Sequence, residues 1–133
     1  MNVILNKAEL LSRAASARVL AYAPYSKFSV GAALLSKSGK IFTGVNVENV
    51  SYGLTMCAER VCVGAAIAAG EAAFEAIAII SDSSEPIVPC GACRQVLAEF
   101  APKLVIYSGT AQGEESEFQL SDLLPRPTQG ILR

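Results

Sequence analysis

The chain has 133 residues, 52% hydrophobic and 17% charged, a composition that packs as one globular domain over 1–133 and excludes wholesale disorder. Eleven Lys and Arg against twelve Asp and Glu leave a net charge of −1, with no electrostatic footprint for gripping a nucleic-acid backbone. The chain has no histidine and four cysteines, which excludes Ser-His-Asp and Cys-His nucleophiles and HExxH sites and leaves any transition-metal site to thiolates.

Residues 6–22 carry helical periodicity, with Leu10, Leu11, Ala14, Ala17 and Ala21 set against Lys7, Arg13 and Arg18. Asn6 followed by Glu9 resembles a capping box, and Ala23-Pro24 ends the helix. The runs 28–35 and 40–47 flank Ser36-Lys-Ser-Gly39 and predict a β-hairpin. Residues 49–55 read as loop. Residues 57–69 are Ala-rich and helical, with Gly70 at the C′ position. The unalternated run 75–80 predicts a strand buried on both faces. After a loop over 81–89, residues 90–100 predict another helix, and 104–107 another buried strand. Residues 109–117 read as polar turn, 118–120 as a short edge strand and 121–125 as a capped turn. The order α-β-β-α-β-α-β implies a mixed sheet with helices on its faces.

The N-terminal Met1–Lys7 has neither a basic region nor a long apolar one, so no secretory signal or membrane span is expected. The expected location is the cytoplasm, where thiols stay reduced and four cysteines point to metal binding or catalysis before disulfides.

Two segments carry the chemistry, Thr55-Met-Cys57-Ala-Glu59-Arg60 and Val88-Pro-Cys90-Gly-Ala-Cys93-Arg94-Gln95. Cys90 and Cys93 fall on one helical face, and Cys57 arrives from another helix start. Three thiolates without a fourth ligand describe a zinc site with an open position, the mark of a catalytic site. Cys62 lies about 140° around the helix from Cys57, among Val61, Val63 and Ala66, and reads as a core residue. Three thiolates and Zn²⁺ sum to −1, which blunts Lewis acidity. Two helix N-termini offset that charge, and Arg60 and Arg94 are candidates to add to it. Arg60 is expected to donate to a ligand sulfur. Glu59 is the carboxylate adjacent to the site and the candidate for proton transfer.

Cys-Ala-Glu-Arg at 57–60 and Pro-Cys-Gly-Ala-Cys-Arg-Gln at 89–95 resemble the zinc-dependent cytidine deaminases, a class with a non-ligand glutamate. Residues 24–33 and 44–53 are similar to the family as well, so the resemblance covers roughly residues 8–125. The short chain with a cysteine as first ligand resembles the homotetrameric branch. The resemblance implies a three-layer α/β/α sandwich around a mixed five-stranded sheet, with one Zn²⁺ per subunit held by Cys57, Cys90 and Cys93. It implies hydrolytic deamination of cytidine and deoxycytidine to uridine and deoxyuridine with release of ammonia, in pyrimidine salvage. A zinc-bound hydroxide attacks C4 in that family, and Glu59 shuttles the protons. Asn46 and Glu48 match ribose-binding positions, Phe28 matches a residue packed on the nucleoside, and Ala58 matches a substrate contact. Tyr52 matches a residue given to a neighbouring subunit's site. The family's aromatic after Leu123-Leu124-Pro125 is missing here, where Arg126-Pro-Thr-Gln-Gly-Ile131-Leu132-Arg133 follows; Ile131 or Leu132 is the candidate replacement. Three other readings compete: deamination of another cytosine-bearing compound, a zinc-stabilised binding module, and nucleic-acid editing, which the net charge and lack of Trp disfavour.

Overall fold

The computed structural model of the chain describes residues 3–127, with side chains from residue 7. Five strands form one sheet: β1 (Val30–Ser36), β2 (Ile41–Val45), β3 (Phe74–Ser81), β4 (Val105–Thr110) and β5 (Glu115–Gln119). The order across the sheet is β2-β1-β3-β4-β5. Only β3 and β4 run parallel; the other neighbouring pairs are antiparallel. Helix α1 (Val3–Arg18) covers one face, while α2 (Ala58–Ala68) and α3 (Gly91–Phe100) cover the other, and a short α4 (Leu120–Leu123) follows β5. This is the expected three-layer α/β/α sandwich. Among the described residues, no helix is long and apolar enough to cross a membrane.

The burial pattern explains the layers. Ile77 and Ile79 of β3 face α2 and α3, while Ala76, Ala78 and Ile80 face α1. A strand with two apolar faces needs a cover on each. Strand β1 divides in the same way, with Ala32 and Leu34 on one side and Ala33 and Leu35 on the other. Helix α1 meets the sheet through Leu10, Leu11 and Ala14.

Gly44 of β2 sets how α2 docks. A Cβ there would stand 2.5 Å from the Ala58 carbonyl oxygen and 2.8 Å from the Cys62 amide nitrogen, so only glycine lets the first turn of α2 lie on the strand. Gly70, at φ +85°, ends α2 as expected. Its amide bonds the Ile67 carbonyl while the Glu71 amide bonds that of Ala66, a Schellman pair.

Several boundaries differ from the sequence reading. Helix α1 begins at Val3, so Asn6 lies inside it rather than at its start. The same helix stops at Arg18 rather than 22, because the Tyr22 amide donates to the Asn46 carbonyl and the Tyr22 carbonyl accepts from Glu48. Residues 28 and 29 lie outside β1, their amides bonding Ser26 Oγ and Asp82 Oδ2. Residues 109–110 belong to β4, and residues 115–119 form a full strand rather than a turn and a remnant. Pairing with β4 from Val105 to Gly109 overrides the poor strand preference of Glu115 and Glu117, whose side chains find water at the sheet edge.

Candidate active site

Helices α2 and α3 both begin at a cysteine. Cys57 caps α2 with φ −73° and ψ 152°, and Cys90 caps α3 with φ −64° and ψ 166°. Neither side chain makes a capping hydrogen bond. Each sulfur is therefore free of the usual N-cap role and lies in the positive field of a helix start. Cys93, in the first turn of α3, is buried behind them. The Cys57 Sγ lies 3.8 Å from that of Cys90, and Cys90 Sγ lies 3.4 Å from that of Cys93. All three sulfurs fall within 4.8 Å of one another. A tetrahedral zinc with bonds near 2.3 Å asks for sulfurs about 3.8 Å apart. The donor set and its spacing fit a zinc ion with one position left for a fourth ligand.

The electrostatics concentrate charge on one sulfur. A hydrogen bond from the Cys93 thiol, helped by Arg60 and Cys90, holds Cys57 down at about 5 against the opposing effect of burial. Donation to Cys57, with burial, pushes the Cys93 thiol up, so the metal-free cluster keeps its first negative charge on Cys57. Arg60 reaches this sulfur from the first turn of α2. Its Nη2 lies 3.6 Å from Cys57 Sγ and donates to the Thr55 carbonyl at 3.2 Å. Its Nε is buried with no acceptor among the described residues. Arg94 faces elsewhere: its Nε donates to the Pro89 carbonyl at 2.8 Å and its Nη1 to that of Leu123 at 3.3 Å. It braces the Cys90 turn through backbone rather than through a sulfur. Cys62 is fully buried among apolar residues, and burial pushes its thiol far up. It is a core residue.

A cavity of about 260 Å³ opens beside the cysteines, at the small end of ligand pockets and suited to a compact heterocycle rather than a polymer. Phe28, Asn46, Cys57, Ala58, Glu59 and Cys90 all line it. Glu59 is 4% exposed, and burial raises its carboxyl to about 7. A carboxylate beside an open metal position and poised near neutral pH can take and return a proton.

The remaining candidates are placed differently. Asn46 is buried, and its side chain is already engaged: Nδ2 donates to the Phe28 carbonyl at 2.8 Å, and Oδ1 accepts the Val30 amide at 3.0 Å. Glu48 accepts the amides of Tyr25 and Ser26 at 3.0 and 3.1 Å and the Ser26 hydroxyl. These bonds hold its carboxyl below the usual range. Glu48 does not line the cavity, nor does Tyr52, which is 78% exposed in a 3₁₀ turn over Tyr52–Leu54. Ile131 and Leu132 lie outside the described residues. The sequence reading missed Val30, Thr55, Met56, Ile87 and Val88, which supply the rest of the lining. Only their nearness to Phe28, Cys57 and Cys90 in the chain hinted at this.

Comparison with known proteins agrees with this site. Residues 5–109 match the family model for the cytidine and deoxycytidylate deaminase zinc-binding region. A cytidine deaminase from Halalkalibacterium halodurans is 48% identical over 122 residues, covering 91% of this chain and 92% of that protein. One from Mycobacterium tuberculosis is 42% identical over 116 residues, covering 87% and 84%. The crystal structure of cytidine deaminase from Burkholderia pseudomallei superposes with a TM-score of 0.86 at 47% identity, covering 94% of this chain and 98% of that one. With three thiols set for zinc, a buried glutamate beside them and a family model matched over most of its length, the chain belongs to the cytidine and deoxycytidylate deaminase zinc-binding family.

Proposed function

We propose that this protein hydrolyses cytidine and deoxycytidine to uridine and deoxyuridine, releasing ammonia, in the cytoplasm as part of pyrimidine salvage. The observation that carries the reading is Glu59, a buried carboxyl raised to about 7 that lines the same cavity as Cys57 and Cys90. Cys57, Cys90 and Cys93 are the proposed ligands of one zinc per subunit, and bound zinc supplies Lewis acidity that lowers the pKa of a water. Glu59 is the proposed proton carrier. Ionised before binding, it takes a proton from the attacking water and gives it to ring N3; it then passes the proton of the new C4 hydroxyl to the departing amine. A group that changes charge along this path binds the transition state better than the substrate. Arg60 donates to Cys57 and draws charge away from the metal ligands.

Phe28 packs on the ring and Ala58 contacts the base in this reading. Asn46 keeps one amide hydrogen and one lone pair for a ribose hydroxyl after its two backbone bonds. Glu48 keeps one acceptor site of about four. A homotetramer is the proposed assembly. Val47, Val50, Tyr52, Leu54 and Met56 form an exposed apolar run between Asn46 and Cys57, the kind of surface a partner covers. A neighbouring copy seated there brings its Tyr52 to this cavity.

The test is ammonia release and ultraviolet change with cytidine, deoxycytidine, cytosine, CMP and adenosine, alongside native mass measurement. Turnover of the first two nucleosides by a tetramer, abolished in Glu59→Gln with zinc retained, supports the proposal. Zinc retention with no turnover of any compound overturns it in favour of a binding module.

A further inference from the structure

Three consecutive backbone amides at the cavity edge end on side chains from three different segments. The Phe28 amide donates to Ser26 Oγ at 3.0 Å, that of Ser29 to Asp82 Oδ2 at 2.8 Å, and that of Val30 to Asn46 Oδ1 at 3.0 Å. Lys27, just before them, takes the left-handed conformation at φ 61°. That conformation disfavours a non-glycine side chain and persists only where surrounding bonds enforce it. Asn46 lines the cavity, and Ser26 bonds Glu48, a proposed ribose contact. Asp82 does neither, and the proposed mechanism leaves it without a task.

Its position explains one. Val30 pairs with Ser81 at the end of the β1–β3 ladder, and Asp82 is the next residue. Its carboxylate takes the amide that a further backbone carbonyl would have taken, so the ladder runs one step past the strand through a side chain. Its other oxygen, Oδ1, is held by Arg18, the last residue of α1. Asp82 also opens the loop that leads to Ile87, Val88 and Cys90. That loop is braced at Ser83, whose amide bonds Ser81 Oγ, and at the Ile87 carbonyl, which accepts from Ser108. Phe28 and Val30 line the cavity from one segment, and Ile87, Val88 and Cys90 from the other. Asp82 is the charged tie between the two.

We propose that Asp82 is a positioning residue that fixes the Phe28–Val30 segment against the Ile87–Cys90 segment and thereby sets the affinity for the nucleoside rather than the rate of the chemical step. Arg18 orients the carboxylate for this task. The inference rests on the deaminase reading of the cavity.

The test compares Asp82→Ala, Asp82→Asn and Arg18→Gln with the wild type in the zinc-loaded protein. Amide hydrogen exchange at Ser29 is measured without substrate, and kcat and KM are measured for cytidine. Asp82→Ala is expected to speed exchange at Ser29 and raise KM, each by about fivefold to tenfold, the factor one net hydrogen bond is worth, with kcat within about twofold. Asp82→Asn keeps an oxygen for the Ser29 amide and restores most of both values. Arg18→Gln gives a smaller rise in KM than Asp82→Ala. Unchanged exchange at Ser29 in Asp82→Ala overturns the clamp whatever the activity. Raised exchange with a wild-type KM overturns its role in binding, as does an Asn variant no better than Ala. Ammonia release by the wild type checks the deaminase reading separately, since the exchange measurement does not depend on it. An Asp82→Ala chain that does not fold leaves Arg18→Gln to decide: wild-type exchange at Ser29 and a wild-type KM in that variant overturn the proposal.

Discussion

Gly44→Ala ties the fold to the site more directly than any ligand substitution. The added Cβ would sit 2.5 Å from the Ala58 carbonyl oxygen, 2.8 Å from the Cys62 amide nitrogen and 3.0 Å from Cys62 Sγ. Ordinary contact begins at 3.4 Å, so β2 and α2 must part by the difference from 2.5 Å, about 0.9 Å. Two of the three atoms are backbone, and no rotamer change relieves them. The first turn of α2 carries Cys57, Ala58 and Glu59, whereas Cys90 and Cys93 ride on α3. The displacement therefore pulls the proton carrier and one sulfur away from the other two. Overpacking of this kind costs about 1–3 kcal/mol in stability, and a misplacement near 1 Å at a reacting centre costs about 100-fold in rate. Urea unfolding, zinc content and kcat for cytidine would be measured together. Leu10→Ala is the control. It removes a fully buried side chain on the α1 face and costs about 2–5 kcal/mol, with kcat of the folded protein unchanged. A Gly44→Ala protein that is folded and zinc-loaded with wild-type kcat would refute the reasoning, as would an equal loss of kcat in Leu10→Ala.

Two further outcomes follow from the titrating groups. Burial raises Glu59 from 4.5 to about 7, so the native state holds its proton over a range where the unfolded chain has lost it. The group contributes stability that is fully present below pH 4.5 and lost as the pH rises through about 7. Metal-free Glu59→Gln is therefore more stable than the metal-free wild type at pH 8, by roughly 3 kcal/mol, and the gain disappears below pH 4.5; urea unfolding at the two pH values checks it. Cys62 is fully buried and its thiol is pushed far up, so after zinc removal a thiol reagent modifies the accessible Cys57 and Cys90 while Cys62 reacts only on unfolding. Peptide mass mapping reads this directly, and early labelling of Cys62 would contradict it.

The parts of the fold written in local patterns were legible. The apolar run of β3 announced two covered faces, and Gly70 announced the end of α2. The end of α1 was not legible, because a distant partner, the backbone around Asn46, captures Tyr22. Strand β5 was hidden for a related reason: Glu-Ser-Glu is a poor strand by composition, and only its pairing with β4 makes it one. The site divides in the same way. Spacing alone brought Cys90 and Cys93 to one face, and the position of Glu59 beside a three-sulfur cluster marked it. Asn46 read as a ligand-facing amide, yet it also staples Phe28 to Val30. Asp82 gave no signal, since its partners Arg18 and Ser29 lie 64 and 53 residues away in the chain.

Two helices that begin at cysteines without capping bonds have a consequence for how the molecule comes apart. A metal held by both Cys57 and Cys90 closes the chain between them into a ring that contains the whole of α2 and β3. A strand at the centre of the sheet and the helix beside it then open only as parts of a closed loop, which gains less conformational entropy than a free chain. The ion thus joins the α2–β3 unit to α3 as one cooperative block. Metal occupancy becomes a property of the core as much as of the chemistry, and losing the ion loosens the middle of the sheet before its edges.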